Sequence, residues 1–117
     1  MAGINFPRRG EVYWANLDPA VGSEMTKTRP VVIVSNDVGN QHSRRVTIAP
    51  LTSAGLQRVY RFEVRVFEGE AGVPRDSKVA LDQIRAVDKR RLGRRVGALS
   101  SDRMQQVDAA IRISLAV

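Results

Sequence analysis

Glu24, Arg29 and Thr52 set a carboxylate, a guanidinium and a hydroxyl around two apolar segments. Glu24 closes a polar Gly22-Ser23-Glu24 loop, Arg29-Pro30 opens the aliphatic run Val31 to Val34, and a second apolar run, Val46 to Leu51, ends at Thr52 and Ser53. If the two runs are neighbouring strands, the three groups meet at strand ends. Arginine grips a phosphate through two parallel hydrogen bonds and keeps its charge, a hydroxyl adds a donor, and a carboxylate can take a proton. Such a set can act on a phosphodiester without metal, thiol or imidazole.

Composition removes competing chemistries. The chain has 117 residues, enough for one domain over residues 1–117 that buries roughly two-thirds of its unfolded surface. It has no cysteine, which excludes a disulfide framework, a thiolate metal site and a cysteine nucleophile. His42 is the only histidine and the twelve carboxylates follow no ligand-like spacing, so neither a metal nor another cofactor is expected. Met1 to Pro7 carries no long apolar segment, and Val31 to Val34 is far too short to cross a bilayer, so the expected location is the cytoplasm.

Nineteen basic and twelve acidic side chains leave a net charge of +7, which favours a polyanionic partner. Sixteen of the nineteen are arginine, so coding bias is the plain alternative, but the distribution is uneven. Residues 1–43 hold four basic and four acidic groups; the excess lies at Arg44, Arg45, Arg58, Arg61 and Arg65, and again at Arg85, Lys89, Arg90, Arg91, Arg94 and Arg95.

The elements that must position these groups are mostly short strands. Glu11 to Leu17 alternates, with Val12 and Trp14 on one face, and stops at Asp18-Pro19. Val31 to Ser35 reads as a buried second strand with Pro30 at its entrance, and Asn36 to Asn40 as a turn or one helical turn. Val46 to Leu51 and Tyr60 to Val66 give a third and fourth strand, and Val79 to Val87 one long or two short ones. Arg95 to Leu99 adds a last short strand. Ser100 or Ser101 then caps a helix with apolar Met104, Val107, Ile111 and Leu115, which suit a core or a dimer interface. The expected fold is mainly β, an SH3-like barrel with short helices and a C-terminal amphipathic helix.

Several blocks together resemble one family. Gly10 to Trp14, Leu17-Asp18-Pro19, Val21 to Glu24, Arg29 to Val34, Asn36-Asp37 and Leu81 to Arg85 follow in the order and spacing of MazF toxins, also called PemK-like or Kid-like, over roughly Arg9 to Leu115. The resemblance implies the barrel of the CcdB/MazF type and a homodimeric endoribonuclease of a toxin–antitoxin pair. It implies metal-free cutting of single-stranded RNA at short sequences, arrest of bacterial growth, and neutralisation by an acidic, MazE-like antitoxin that fills the RNA groove. By the same resemblance Arg29 and Thr52 match the catalytic pair and Glu24 a further catalytic residue. Asn16, Lys27, Thr28, Ser53 and Gln83 are implied as RNA-binding. Asn16 stands where relatives often carry Asp, which points to altered base recognition or a scheme without a carboxylate there.

Metal-free cleavage uses the 2′-hydroxyl of the RNA as nucleophile and leaves a cyclic or 3′ phosphate and a 5′-hydroxyl. Arg29 and Thr52 suit charge stabilisation on the phosphorus oxygens. Arginine is a poor base, so Glu24 is the candidate for proton removal. Plainer readings stand beside these: Arg29 at a strand entrance, Thr52 in a turn, Glu24 as a loop cap, Trp14 in the core rather than against a base, His42 solvated, and the Lys89 to Arg95 cluster as a solvated turn or an RNA path. A non-catalytic RNA-binding barrel and a CcdB-like gyrase poison are the rival functions.

Overall fold

The computed structural model describes residues 5–19, 21–25 and 27–117. The reading of the opening segment therefore falls in part on residues 1–4, outside the described residues.

Seven strands and two α-helices are present among the described residues: β1 (Glu11–Asn16), β2 (Thr28–Ile33), α1 (Asp37–His42), β3 (Arg45–Thr52), β4 (Glu63–Val66), β5 (Ser77–Ala80), β6 (Arg85–Asp88), β7 (Leu92–Ala98) and α2 (Ser101–Leu115). The strands pair antiparallel in the order β4-β5-β3-β2-β1-β7, and β6 also pairs with β3. The mainly β barrel with a C-terminal helix is what the sequence leads one to expect.

β3 organises the molecule. Its first half, Arg45 to Ile48, pairs with β6, and its last two residues, Leu51 and Thr52, pair with β5. Between them Ala49 and Pro50 face only β2. Pro50, with no N–H to give, thus stands where the strand passes from one partner to the next. Pro30 is placed by the same logic: it is the third residue of β2 rather than the first, opposite Trp14 of β1, before the β2–β3 pairing begins at Val31.

Because strand side chains alternate, the sheet feeds two cores. Val12, Val32, Ala49, Leu51, Val64, Val79 and Leu81 form one, closed by Val107 and Ala110 of α2. Ala15, Leu17, Val31, Ile33, Val46, Ile48 and Val87 form the other. A strand with apolar neighbours on both faces reads as a continuous aliphatic run, which is why Val31 to Val34 shows no alternation.

Three strands depart from the expected bounds, each for a local reason. β2 runs from Thr28 to Ile33 rather than from Val31 to Ser35, because Val34 and Ser35 turn their N–H groups to Thr47 O and lead into α1. β4 starts at Glu63, not Tyr60: the Tyr60 N–H donates to Glu63 Oε1 and the Glu63 N–H to Tyr60 O, closing a turn. β7 starts at Leu92, not Arg95, since cross-strand pairing to β1 carries Gly93-Arg94-Arg95 although these lack any apolar pattern. The Val79 to Val87 run resolves into two strands separated by a 3₁₀ turn, Leu81–Gln83.

Side chains cap both helices. Asn36 accepts from the Gly39 N–H at the start of α1, and Ser100 Oγ accepts from the Arg103 N–H at the start of α2. Of the α2 stripe, Val107 is buried, Met104 and Ile111 pack on the first core, and Leu115 is 55% exposed. The Arg103 guanidinium grips both oxygens of Glu70 at 2.8 and 2.9 Å, and Ser114 Oγ donates to Leu81 O at 2.9 Å. Gly97 of β7 and Gly72 make the closest packing: a Cβ on Gly97 would lie 2.3 Å from Ala71 O, and one on Gly72 2.4 Å from Val96 O. No helix among the described residues is long and apolar enough to cross a membrane.

Candidate active site

The ends of β2 and β3 build the site. Val31 stands opposite Pro50 and Ile33 opposite Ile48, and continuing that pairing by two residues sets Arg29 opposite Thr52. Val31, Ile33 and Ile48 pack in the second core, so alternation gives Arg29 and Thr52 that same face, one step beyond where the core ends. Both are half-buried. Arg29 Nη1 donates to Leu51 O at 3.2 Å and approaches Met25 Sδ at 3.7 Å, which holds the guanidinium against the strand that carries Thr52. Thr52 Oγ1 accepts from the Ala54 N–H at 3.1 Å, fixing the first turn of the outgoing loop.

A cleft of about 480 Å³ reaches Arg29, lined by Trp14, Lys27, Thr28, Arg29, Pro30, Leu51, Ser53, Pro74, Arg75 and Ser77; Thr52 is not in this lining, and Trp14, Thr28, Pro30, Leu51 and Ser53 alternate with the face that carries it. The cleft presents three cationic side chains and no carboxylate along its lining, an arrangement suited to phosphates. A neighbouring depression of about 260 Å³ is lined by Leu17, Ser23, Glu24, Met25, Pro50, Asp82, Gln83, Ile84 and Arg85. Met25 touches Arg29 and lines the second depression, so it stands between the two.

Of the expected RNA-contacting residues, Lys27, Thr28 and Ser53 line the cationic cleft with Arg29, while Gln83 lines the depression with Glu24. Glu24 Oε1 accepts from the Val21 N–H at 2.6 Å, so this oxygen caps its own turn. Asn16 ends β1 opposite Thr28 and accepts from the Asp18 N–H at 3.0 Å. The loop between β1 and β2 is closed by the Lys27 N–H donating to Asp18 Oδ1 at 2.8 Å and the Leu17 N–H donating to Lys27 O at 3.0 Å. Lys27 takes a left-handed backbone there, φ 68°, a costly conformation for a side chain other than glycine.

Trp14 is half-buried on the cleft wall and not in either core, contrary to the sequence reading. Both faces of β1 meet a core, so alternation alone could not say where one core stops. Arg75 escaped the sequence reading altogether. Its signal was the pairing of Thr52 with Lys78, which brings the start of β5 and the residues before it to the end of β3.

The basic clusters divide by role. Arg91 donates to Asn16 O and Asp18 O, pinning the β1–β2 loop, and Arg90 pairs with Asp88. Arg95 of β7 pairs with Glu11 of β1 at 2.7 Å. Burial pushes the Glu11 carboxyl up, but hydrogen bonds from the Arg8 N–H, Arg95 and Tyr13 outweigh it and hold the group below its ordinary value. Burial and then the adjacent Glu11 carboxylate push the Tyr13 hydroxyl up, against the opposing charge of Arg95. Among the described residues no three His, Asp or Glu side chains gather as a metal-binding group.

A small antiparallel barrel with a cationic cleft at the ends of two central strands is suited to a polyanionic ligand. Residues 8–115 match the family described as PemK-like, MazF-like toxin of type II toxin–antitoxin system. The endoribonuclease EndoA of Bacillus subtilis strain 168 is 39% identical over 110 residues, which span 94% of this chain and 95% of that protein. MazF from Deinococcus radiodurans superposes with a TM-score of 0.83 at 25% identity, covering 97% of this chain and 99% of that one. A mycobacterial endoribonuclease solved in complex with its cognate antitoxin superposes with a TM-score of 0.78 at 26% identity, covering 95% and 96%. The chain belongs to the PemK-like, MazF-like toxin family.

Proposed function

We propose that this protein is a metal-independent endoribonuclease toxin of the cytoplasm, working as a homodimer of single-domain subunits and restrained by an acidic antitoxin. The observation that carries the reading is the placement of Arg29 and Thr52 on one face at adjoining strand ends, with Arg29 also reaching a cleft lined by Lys27 and Arg75.

In this mechanism single-stranded RNA lies along the cleft, its phosphates held by Lys27, Arg29 and Arg75. The 2′-hydroxyl before the cut attacks the adjacent phosphorus in line. A bond from the 2′-oxygen to phosphorus forms, the bond from phosphorus to the 5′-oxygen breaks, the departing 5′-oxygen takes a proton from water, and the products carry a 2′,3′-cyclic phosphate and a 5′-hydroxyl. Arg29 and Thr52 stabilise the charge that builds on the non-bridging oxygens. Glu24 takes the 2′-hydroxyl proton when the turn at residues 21–24 moves onto the substrate, and Gln83 and Asn16 contact bases on either side.

The test is digestion of a long single-stranded transcript, with the cut positions read from the 5′ ends of the fragments. Cutting is expected to persist in chelator and to stop when one 2′-deoxyribose replaces the ribose before a mapped cut. Chelator-sensitive cleavage, or cleavage past the deoxyribose, would remove the chemistry. RNA that is bound and left whole would leave a binding barrel, and inhibition of supercoiling by gyrase would indicate the CcdB-like alternative.

A further inference from the structure

The loop that leaves Thr52 is held open by cations. Residues 53–62 contain no helix or strand, yet the carbonyls of Gly55 and Arg58 accept from Lys78 Nζ at 3.0 and 3.1 Å, and that of Leu56 lies 3.5 Å from Arg65 Nη1. The Lys78 ammonium is itself buried and paired with Glu63 at 3.0 Å, each side chain 8% exposed. Its hydrogen bonds are therefore committed to the loop and to Glu63 rather than to solvent. Gly55 fits against it in a left-handed conformation, φ 65°, and a Cβ there would lie 3.4 Å from Nζ.

What this clasp displays is a stack. The Tyr60 and Phe62 rings are parallel within 2° with centroids 5.3 Å apart, so they are slipped past one another. The Arg58 guanidinium sits 4.6 Å from the Tyr60 centroid, and Tyr60 remains 44% exposed. The arm begins at Ser53 in the cationic cleft, and its anchor Lys78 is the cross-strand neighbour of Thr52.

Resting on the endoribonuclease reading, we infer that Arg58 and Tyr60 form a nucleobase-stacking subsite for an RNA residue flanking the cut, held in place by the Lys78–Glu63 pair. A ring and a guanidinium offer flat surfaces on which an unpaired base stacks whatever its identity, and the surrounding positive charge favours the strand's backbone. Fixing the loop in advance removes the ordering cost that a mobile arm would pay on binding.

The experiment uses the full chain and a single-stranded RNA whose mapped cut position carries one 2′-deoxyribose, so that binding is measured without cleavage. Tyr60→Ala and Tyr60→Leu are expected to weaken binding between about five- and a hundredfold with the salt slope unchanged, because no phosphate contact is lost. Tyr60→Phe should bind as the parent does. Lys78→Met, and Glu63→Gln with Lys78→Met where the single change unfolds, should weaken binding in the same direction and speed amide exchange across residues 54–60.

A Tyr60→Leu protein with the parent's affinity would show the ring to be loop packing only and overturn the subsite. Parent-like affinity in a folded Lys78→Met protein would overturn the clasp. A parent protein that neither cuts nor binds RNA would overturn the proposed function itself, a result that the variants cannot mimic.

Discussion

Arg29 is held by a main-chain carbonyl of the neighbouring strand, so its charge is aimed before any substrate arrives. Arg29→Ala should lower kcat/KM on the order of a hundredfold or more, while affinity for the deoxy-blocked RNA changes little beyond a salt slope smaller by about 0.7. Equal losses in rate and affinity would make Arg29 a binding residue. Glu24→Gln should lower kcat with affinity for the deoxy-blocked RNA unchanged if the carboxylate takes the proton, whereas a kcat equal to the parent's would leave it as the cap of its own turn. Of these side chains, Arg29 and Thr52 could be set at neighbouring strand ends from the apolar runs they border, while their catalytic assignment came from the family resemblance. Trp14 and Arg75 could not be set this way, since their place depends on where a core ends and on a pairing 26 residues apart in sequence, Thr52 with Lys78.

Elements reach the site through polar fasteners as well as cores. Helix α2 holds the Leu81–Gln83 turn by Ser114 and the Glu70 turn by Arg103. Arg103's hydrogen bonds hold the Glu70 carboxyl below its ordinary value. A carboxyl lowered in the folded chain stabilises it above the unfolded value, and that contribution is lost as pH falls through the folded value. Glu70→Gln should therefore cost about 1 kcal/mol in neutral urea unfolding, and the gap to the parent should close in acid. Gly97→Ala tests the close approach of β7 to the Glu70–Gly72 turn: with 2.3 Å from the added methyl to Ala71 O, a loss of about 1–3 kcal/mol is expected. Strand existence was readable from apolar runs and the start of α2 from Ser100 or Ser101, whereas the cap at Asn36 was seen only in the structure. The start of β7 was not readable, because cross-strand pairing with β1 selects Gly93-Arg94-Arg95 where periodicity is silent.

At the scale of the molecule, net charge overstates the binding surface. Arg9, Arg65, Lys78, Arg90, Arg95 and Arg103 are each paired with a carboxylate. Only Lys27, Arg29 and Arg75 supply positive charge to the cleft, so log kcat/KM should fall with log salt at a slope of about −2. A slope beyond about −5 would bring the Arg44 to Lys89 face into the RNA path. An acidic antitoxin occupying the same cleft should compete with RNA and lose its hold as salt rises.

β3 shares hydrogen bonds with three other strands, and no slip of one residue is possible without undoing all of them. The positions of Arg29 and Thr52 are thereby set independently of the loop at residues 53–62. Replacing residues 53–62, together with their anchor at position 78, should change how tightly flanking RNA is held while Arg29 and Thr52 keep their places.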